Sequence, residues 1–312
     1  MISFGPIPSR RLGKSLGINN ITEQKICSYS CVYCQVGLTR KYCVERTTFY
    51  EPEVIYNEVS HHLEKLKPSD QPNYLTFVAN GEPTLDINLG KSIAKLKTLD
   101  IPLAVITNAS LLHVPEVRHE LQLADWVSVK IDANDETIWK KINRPHKTIH
   151  FSDYLDGLHL FSSEYKGKLC TETMLVEGLN DTIEILEATA ALTKQVNPAV
   201  AYISIPTRPP AIKTIKPPRE QKINEAYQFF LNVGINVELI LGFEGTNTGY
   251  TGNAYEDILN ICAVHPIRED TMQELLKKDN ADFNLVKSLI ENNLIQQIEY
   301  NSNKFYLRKL NN

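Results

Sequence analysis

Short runs of apolar, often β-branched residues alternate along this chain with longer stretches in which apolar positions recur every three or four residues. The first pattern suits buried strands and the second suits amphipathic helices laid over them, so repeated strand-helix units around a parallel sheet are predicted. Strands are predicted at LGINNI (16 to 21), YLTFVA (74 to 79), LAVIT (103 to 107), WVSVKI (126 to 131), CTETML (170 to 175) and AYISI (201 to 205), with VELIL (237 to 241) as a seventh. Helices are predicted at about 53 to 66, 87 to 99, 181 to 195 and 218 to 233, with weaker patterns near 115 to 122 and 135 to 160. Six or seven such units fit a partial or closed TIM-like barrel, whose functional groups sit at the C-terminal ends of the strands. A doubly wound open sheet has the same local period, and period alone does not choose between them.

The pattern changes after the Gly- and Thr-containing loop GFEGTNTGYTGN (242 to 253). AYEDILNICAVH, REDTMQELLKK and DFNLVKSLIENN read as three short helices, and LIQQIEY and KFYLRKL around an Asn-Ser-Asn turn read as a hairpin. Three helices and a hairpin make a winged-helix plan. A boundary near residue 250 follows, with a barrel over 1 to 250 and a winged-helix-like domain over 251 to 312. The proline-rich PTRPPAIKTIKPPRE (206 to 220) is predicted as a rim loop, because barrel pattern resumes after it.

Composition adds little until charge is mapped. The N-terminus lacks the apolar core of a signal peptide and no stretch approaches the length of a membrane span, so a cytoplasmic protein is expected. The net charge of −4 gives no global attraction to nucleic acid. Residues 1 to 52, however, carry seven Lys or Arg against three Glu, which points to an anionic ligand near that end. Residues 253 to 312 carry seven Lys or Arg against nine Asp or Glu, and the presumed recognition helix is acidic, so duplex DNA is not an expected partner. A packing module, or a docking surface for a protein or peptide, is the expected role of that unit.

The chemistry concentrates in CSYSCVYC, where Cys27, Cys31 and Cys34 stand within eight residues. In a reducing compartment such a cluster reads as metal ligands before it reads as disulfides. Three thiolates on one loop can hold three irons of a cubane cluster and leave the fourth open. A zinc site on the same thiolates would need a fourth ligand, for which Cys43 and the pair His61 and His62 are the nearest candidates.

CSYSCVYC resembles the CxxxCxxC loop of the radical SAM superfamily, including an aromatic residue, Tyr33, before the last cysteine. The resemblance implies a partial (β/α)6 TIM-like barrel, a 4Fe–4S cluster on Cys27, Cys31 and Cys34, and S-adenosylmethionine chelated at the open iron. It also implies reductive cleavage to a 5′-deoxyadenosyl radical, and hence an electron donor such as ferredoxin or flavodoxin. ANGEPTL (79 to 85) is similar to the family's GGEP element, which makes Asn80, Gly81, Glu82 and Pro83 candidate cofactor contacts. By the same analogy Asn108, Thr173 and Thr207 are candidate cofactor contacts at strand ends. Lys130 and Asp132 are candidate catalytic residues, Lys130 either as a Schiff-base amine or as the ion-pair partner of Asp132. Arg10, Arg11 and Arg208 are candidates for gripping an anionic substrate through their guanidinium forks.

The runs FGPIPSRRLGKSLGI (4 to 18), YCQVG, GEPTL and TGNAYEDILNICAVHPIRED (251 to 270) further resemble a radical SAM group related to the tRNA wyosine-base synthases. No cysteine precedes Cys27, where that group's second cluster has its ligands, and Cys43, Cys170 and Cys262 are scattered. The expected activity is radical modification of an anionic substrate, with a tRNA base ranked above a peptide, protein or small metabolite. The alternative of another class is an iron-sulfur redox sensor acting through the winged helix.

Overall fold

Regular structure begins earlier than the apolar pattern suggests. In the computed structural model, which describes residues 2–21, 24–242 and 245–309, β1 (Ser3–Ser9) and β2 (Gly13–Ile18) open the chain as an antiparallel pair. Glu23 of the N-terminal charge count, Phe243 and Glu244 of the Gly- and Thr-containing loop, and Leu310 of the predicted hairpin lie outside the described residues. The two-residue strands β3 (Ile26–Cys27) and β4 (Lys41–Tyr42) bracket the cysteine loop. Strand-helix units follow: α1 (Pro52–Lys65), β5 (Tyr74–Phe77), α2 (Leu89–Leu96), β6 (Leu103–Thr107), α3 (Pro115–Leu121), β7 (Trp126–Lys130), α4 (Glu136–Asn143) and α5 (Phe151–Glu164). The barrel continues through β8 (Lys168–Met174), α6 (Ile183–Val196), β9 (Val200–Ser204), α7 (Glu220–Asn232) and β10 (Val237–Ile240).

The strands form one eight-stranded sheet in the order β1-β2-β5-β6-β7-β8-β9-β10. From β2 onward all neighbours are parallel. The order follows the chain without reversal, whereas a doubly wound sheet reverses at a switch point. β1 and β10 lie at opposite edges, so the curled sheet is an open partial barrel. Side-chain alternation then assigns two faces. Leu75, Phe77, Val105, Val127 and Val129 pack outward against Ile55, Val59, Ile93, Val117 and Leu158 of the helices, all buried. Ala104, Trp126, Cys170 and Tyr202 point to the other face and, with Leu12, form an apolar floor.

Two departures from the sequence pattern have local causes. Pro6 and Pro8 make β1 read as loop, but a sheet edge tolerates residues that cannot donate, and β1 is an edge. The single helix predicted over 135 to 160 is two helices, because Arg144 adopts a left-handed conformation (φ 45°) ahead of Pro145.

His62 of α1 ties β1 down. Its Nε2 donates to the Gly5 carbonyl at 3.0 Å, and in the neutral ring Nδ1 accepts from Ser3 Oγ at 2.9 Å. Burial lowers its pKa from 6.5 to about 4. The unfolded chain therefore binds the extra proton first, and the stability His62 contributes is complete above pH 6.5 and lost as pH falls towards 4. About 2 kcal/mol should be gone by pH 5. Urea midpoints at pH 7 and pH 5 check this; the difference should shrink by that amount in His62→Gln.

The C-terminal segment contains α8 (Ala254–Val264), β11 (Ile267–Arg268), α9 (Glu269–Lys278), α10 (Phe283–Glu291), β12 (Ile295–Tyr300) and β13 (Asn303–Arg308). β12 and β13 pair around Asn301 and Ser302, both at positive φ, and β11 adds to the other side of β13. Ile258, Ile261, Met272, Leu275, Val286 and Leu289 form a separate core, against which Ile7 of β1 and Tyr250 pack.

Candidate active site

Above the apolar floor, at the C-terminal ends of the strands, lies a cavity of about 350 Å³. Cys27, Cys31 and Cys34 all line it. The loop that carries them is set by local pairing: Ile26 and Cys27 run beside Lys41 and Tyr42, and the Cys43 amide donates to the Cys27 carbonyl at 3.2 Å. Each sulfur faces a donor. Asn108 Nδ2 stands 3.6 Å from Cys27 Sγ, Asn143 Nδ2 3.5 Å from Cys31 Sγ, and Lys25 Nζ 3.1 Å from Cys34 Sγ. Burial pushes the Cys27 thiol well up and the Cys31 thiol up to about 11, so these sulfurs ionise when a metal supplies the opposing charge. Burial opposes the Lys25 charge as well, but the sulfurs of Cys34, Cys27 and Cys31 outweigh it and raise its pKa.

Among the described residues no three His, Cys, Asp or Glu side chains converge on the position of a single metal ion. A closed zinc tetrahedron requires that convergence. A cubane takes its thiolates at separate corners, and this donor set suits it. The other candidate ligands are committed elsewhere. Cys43 donates to the Glu45 carbonyl, Cys170 belongs to the barrel floor, Cys262 donates to the Tyr306 carbonyl in the C-terminal core, and His61 lies beside Glu64.

The Asn-Gly-Glu-Pro turn follows β5 and lies against the cysteine loop. Ile26 N donates to Asn80 O and Glu82 N donates to Ile26 O. Gly81 (φ 151°) is the point of closest approach, since a Cβ there would lie 1.7 Å from Ile26 O. Gly81 and Glu82 line the cavity. Glu82 is buried and its carboxylate accepts from Thr84 N, Thr84 Oγ1, Thr107 Oγ1 and Asn108 N, joining the ends of β5 and β6. Asn80 and Pro83 sit behind it, Pro83 O accepting from Asn20 Nδ2.

A charged array forms the opposite wall. Register places Lys130 beside Glu172, and Lys130 Nζ lies 3.3 Å from Glu172 Oε1 and 3.8 Å from Asp132 Oδ1. Arg11 Nη1 binds Glu172 Oε2 at 2.6 Å while its guanidinium stands over Trp126 and Tyr202. Burial works against the Glu172 charge, but Lys130 and Arg11 prevail and hold its carboxyl well below the usual range. Asp132 is buried and accepts from Tyr33 OH, from Asn143 Nδ2 at 2.7 Å and from Met174 N at 2.8 Å. Tyr33 is thereby fixed with its ring under the Lys130 ammonium.

Arg10, Thr207 and Arg208 also reach the cavity. Thr173 does not: it lies on the helix-facing side of β8, where its hydroxyl donates to Ile131 O, and Glu172 takes the inward position. Counting in twos along β8 from Cys170 would have shown this. Lys25, Asn143 and His265 are the side chains that sequence reasoning missed. Val264 and His265 bring the C-terminal unit to the cavity rim, where Gln35 donates to Val264 O and accepts from Arg208, and Arg208 donates to His265 Nε2. That last bond, together with burial and the neighbouring Arg208 charge that lower its pKa, keeps the imidazole neutral.

An open half-barrel that gathers three cysteine sulfurs and a charged wall around one cavity suits an enzyme that holds a metal cluster. The chain belongs to the radical SAM superfamily, whose family model matches residues 22–192. It is 45% identical to a UPF0026 protein of Methanocaldococcus jannaschii, covering 99% of this chain and 96% of that one. It is 34% identical to a UPF0026 protein of Helicobacter pylori over 69% of each chain. Among solved structures, its fold is similar to a radical SAM methyltransferase from Sphaerobacter thermophilus (14% identity, 73% of this chain and 66% of that one, TM-score 0.54). It is also similar to TYW1 with a lysine-pyruvate adduct bound (15% identity, 96% and 82%, TM-score 0.50). The protein is therefore an enzyme whose cofactors are a 4Fe–4S cluster and S-adenosylmethionine. No helix among the described residues is long and apolar enough to cross a membrane.

Proposed function

We propose that this enzyme modifies an anionic substrate, with a tRNA base as the favoured class, by radical chemistry in the cytoplasm. The observation that carries the reading is the placement of the basic N-terminal segment: Arg10, Arg11 and Lys25 line the cavity that holds the three cysteines, together with Lys130 and Arg208. The motif runs shared with the group related to wyosine-base synthases support the tRNA assignment.

When bound, the cluster and S-adenosylmethionine supply, after one-electron reduction by a ferredoxin or flavodoxin, a carbon radical that removes hydrogen from an unactivated position. The chain's own residues hold and orient. Cys27, Cys31 and Cys34 bind the cluster, while Tyr33, Gly81, Glu82 and Asn108 border the cofactor and Arg10 and Arg208 meet the substrate. Lys130 serves as an ammonium and not as a Schiff-base amine, because Asp132 and Glu172 overcome burial and raise its pKa. The segment 251 to 312 acts as a winged-helix-like domain that closes the rim through Val264 and His265, restricting water at the reacting centre.

Unmodified tRNA added to anaerobically reconstituted enzyme with dithionite and S-adenosylmethionine should accelerate 5′-deoxyadenosine release and change the mass of one nucleoside. Acceleration by a peptide pool and not by tRNA would move the substrate class to peptides. In Arg10→Ala/Arg208→Ala, tRNA affinity should fall about tenfold and the salt slope should lose about two units, one per phosphate contact. Filter binding between 50 and 200 mM salt checks both, and an unchanged slope would remove these residues from the substrate site.

A further inference from the structure

We propose that Lys25 is a positioning residue that sets the potential at which the iron-sulfur cluster accepts its electron. Lys25 is 2% exposed, an unusual place for an ammonium. Its Nζ donates to Cys34 Sγ at 3.1 Å and to the Gly37 carbonyl. Both partners belong to the same tight turn: Gly37 N bonds to Cys34 O, and Gly37 takes a positive φ of 89°. The other end of Lys25 is held as firmly, since its carbonyl accepts from Lys41 N and the next residue, Ile26, donates to Asn80 O. The side chain thus spans from the β3 ladder to the sulfur of the third cysteine. Its hydrogen-bond acceptors are a sulfur and a carbonyl, so the counter-charge for it arrives when the cysteine sulfurs bind the cluster.

This inference rests on the superfamily's cluster and goes beyond it. Hydrogen bonds to ligand sulfur and fixed charge nearby are two of the levers that set an iron-sulfur potential. Reduction by one electron from a low-potential donor adds one negative charge to the cluster, and no proton or bond changes with it. A buried ammonium at hydrogen-bond distance from a ligand sulfur stabilises the more negative state, so Lys25 makes reduction easier.

Full-length protein reconstituted under nitrogen is titrated with dithionite and the reduced cluster is read by electron paramagnetic resonance. At the wild-type midpoint, the reduced-to-oxidised ratio in Lys25→Met should fall about tenfold, equivalent to a shift of about 59 mV for one electron. Lys25→Arg, which keeps the charge and a donor, should titrate close to wild type. A Lys25→Met protein with full iron content and the wild-type midpoint would overturn the proposal. Wild-type protein labelled with 15N-lysine gives a second measurement that needs no variant. Pulsed resonance on its reduced cluster should show hyperfine coupling to one lysine nitrogen, and a loaded cluster without that coupling would also overturn the proposal. Wild-type protein that takes up no iron would instead overturn the cluster assignment on which it stands.

Discussion

Protein in which Cys27, Cys31 and Cys34 are all replaced by alanine is expected to fold, to hold no iron-sulfur cluster and to release no detectable 5′-deoxyadenosine. The three sulfurs line one cavity and each faces a nitrogen donor, so their removal takes away every thiolate on that loop. Folding survives because backbone pairing holds the loop: Cys27 lies in β3, Cys43 N bonds to Cys27 O, Ser30 N to Asn143 O and Val32 N to Ile142 O. The stability lost should be about 1 kcal/mol per site, the usual scale for a point substitution. Iron analysis, the visible spectrum after reconstitution and a urea titration test the three statements together. Undiminished iron and turnover in the triple variant would show that the cluster sits elsewhere.

These cysteines were legible because their chemistry is local; eight residues suffice to bring three thiolates together. The Asn-Gly-Glu-Pro turn was legible for a related reason, although Gly81 proves to be required by the approach of Ile26 to its own backbone. Residues whose role depends on register were harder. Thr173 and Glu172 are adjacent in sequence and face opposite sides of β8, so an assignment by strand end alone takes both when only one reaches the cavity. In the sequence Lys25 reads only as part of a basic segment, because nothing in the order of residues says that the Gly37 turn folds Cys34 back onto it. β1 was hidden by its prolines, and with it the reason His62 is buried. One part of the inward polar array follows a plain logic: Lys130 and Arg11, aimed into the barrel, are both matched by Glu172 on β8.

That matching makes Glu172 the position where a small change should cost most stability. Its carboxylate bridges Arg11 at 2.6 Å and Lys130 at 3.3 Å and accepts from Ser204 Oγ at 2.8 Å, at the centre of the inner face. Glu172→Gln preserves shape and removes the charge, leaving two cations facing each other with Asp132, 3.8 Å from Lys130, as the one carboxylate among the described residues in an ion pair with either. Removing one partner from a buried ion pair costs about 3–5 kcal/mol, because the remaining charge is desolvated without compensation. Lys130→Met alone should also destabilise, but Glu172→Gln/Lys130→Met should cost less than the two single changes added together, which is the signature of direct coupling. The pH dependence has a defined sign. The native carboxyl titrates well below its unfolded value of about 4.5, so its contribution is intact above that pH and declines as pH falls below it. Urea midpoints of the four proteins at pH 7 and of wild type against Glu172→Gln at pH 4 measure each part. Strict additivity at pH 7 would mean that Arg11 and Lys130 reach Glu172 without depending on its charge, and the inner wall would then owe its order to packing on Trp126 and Tyr202.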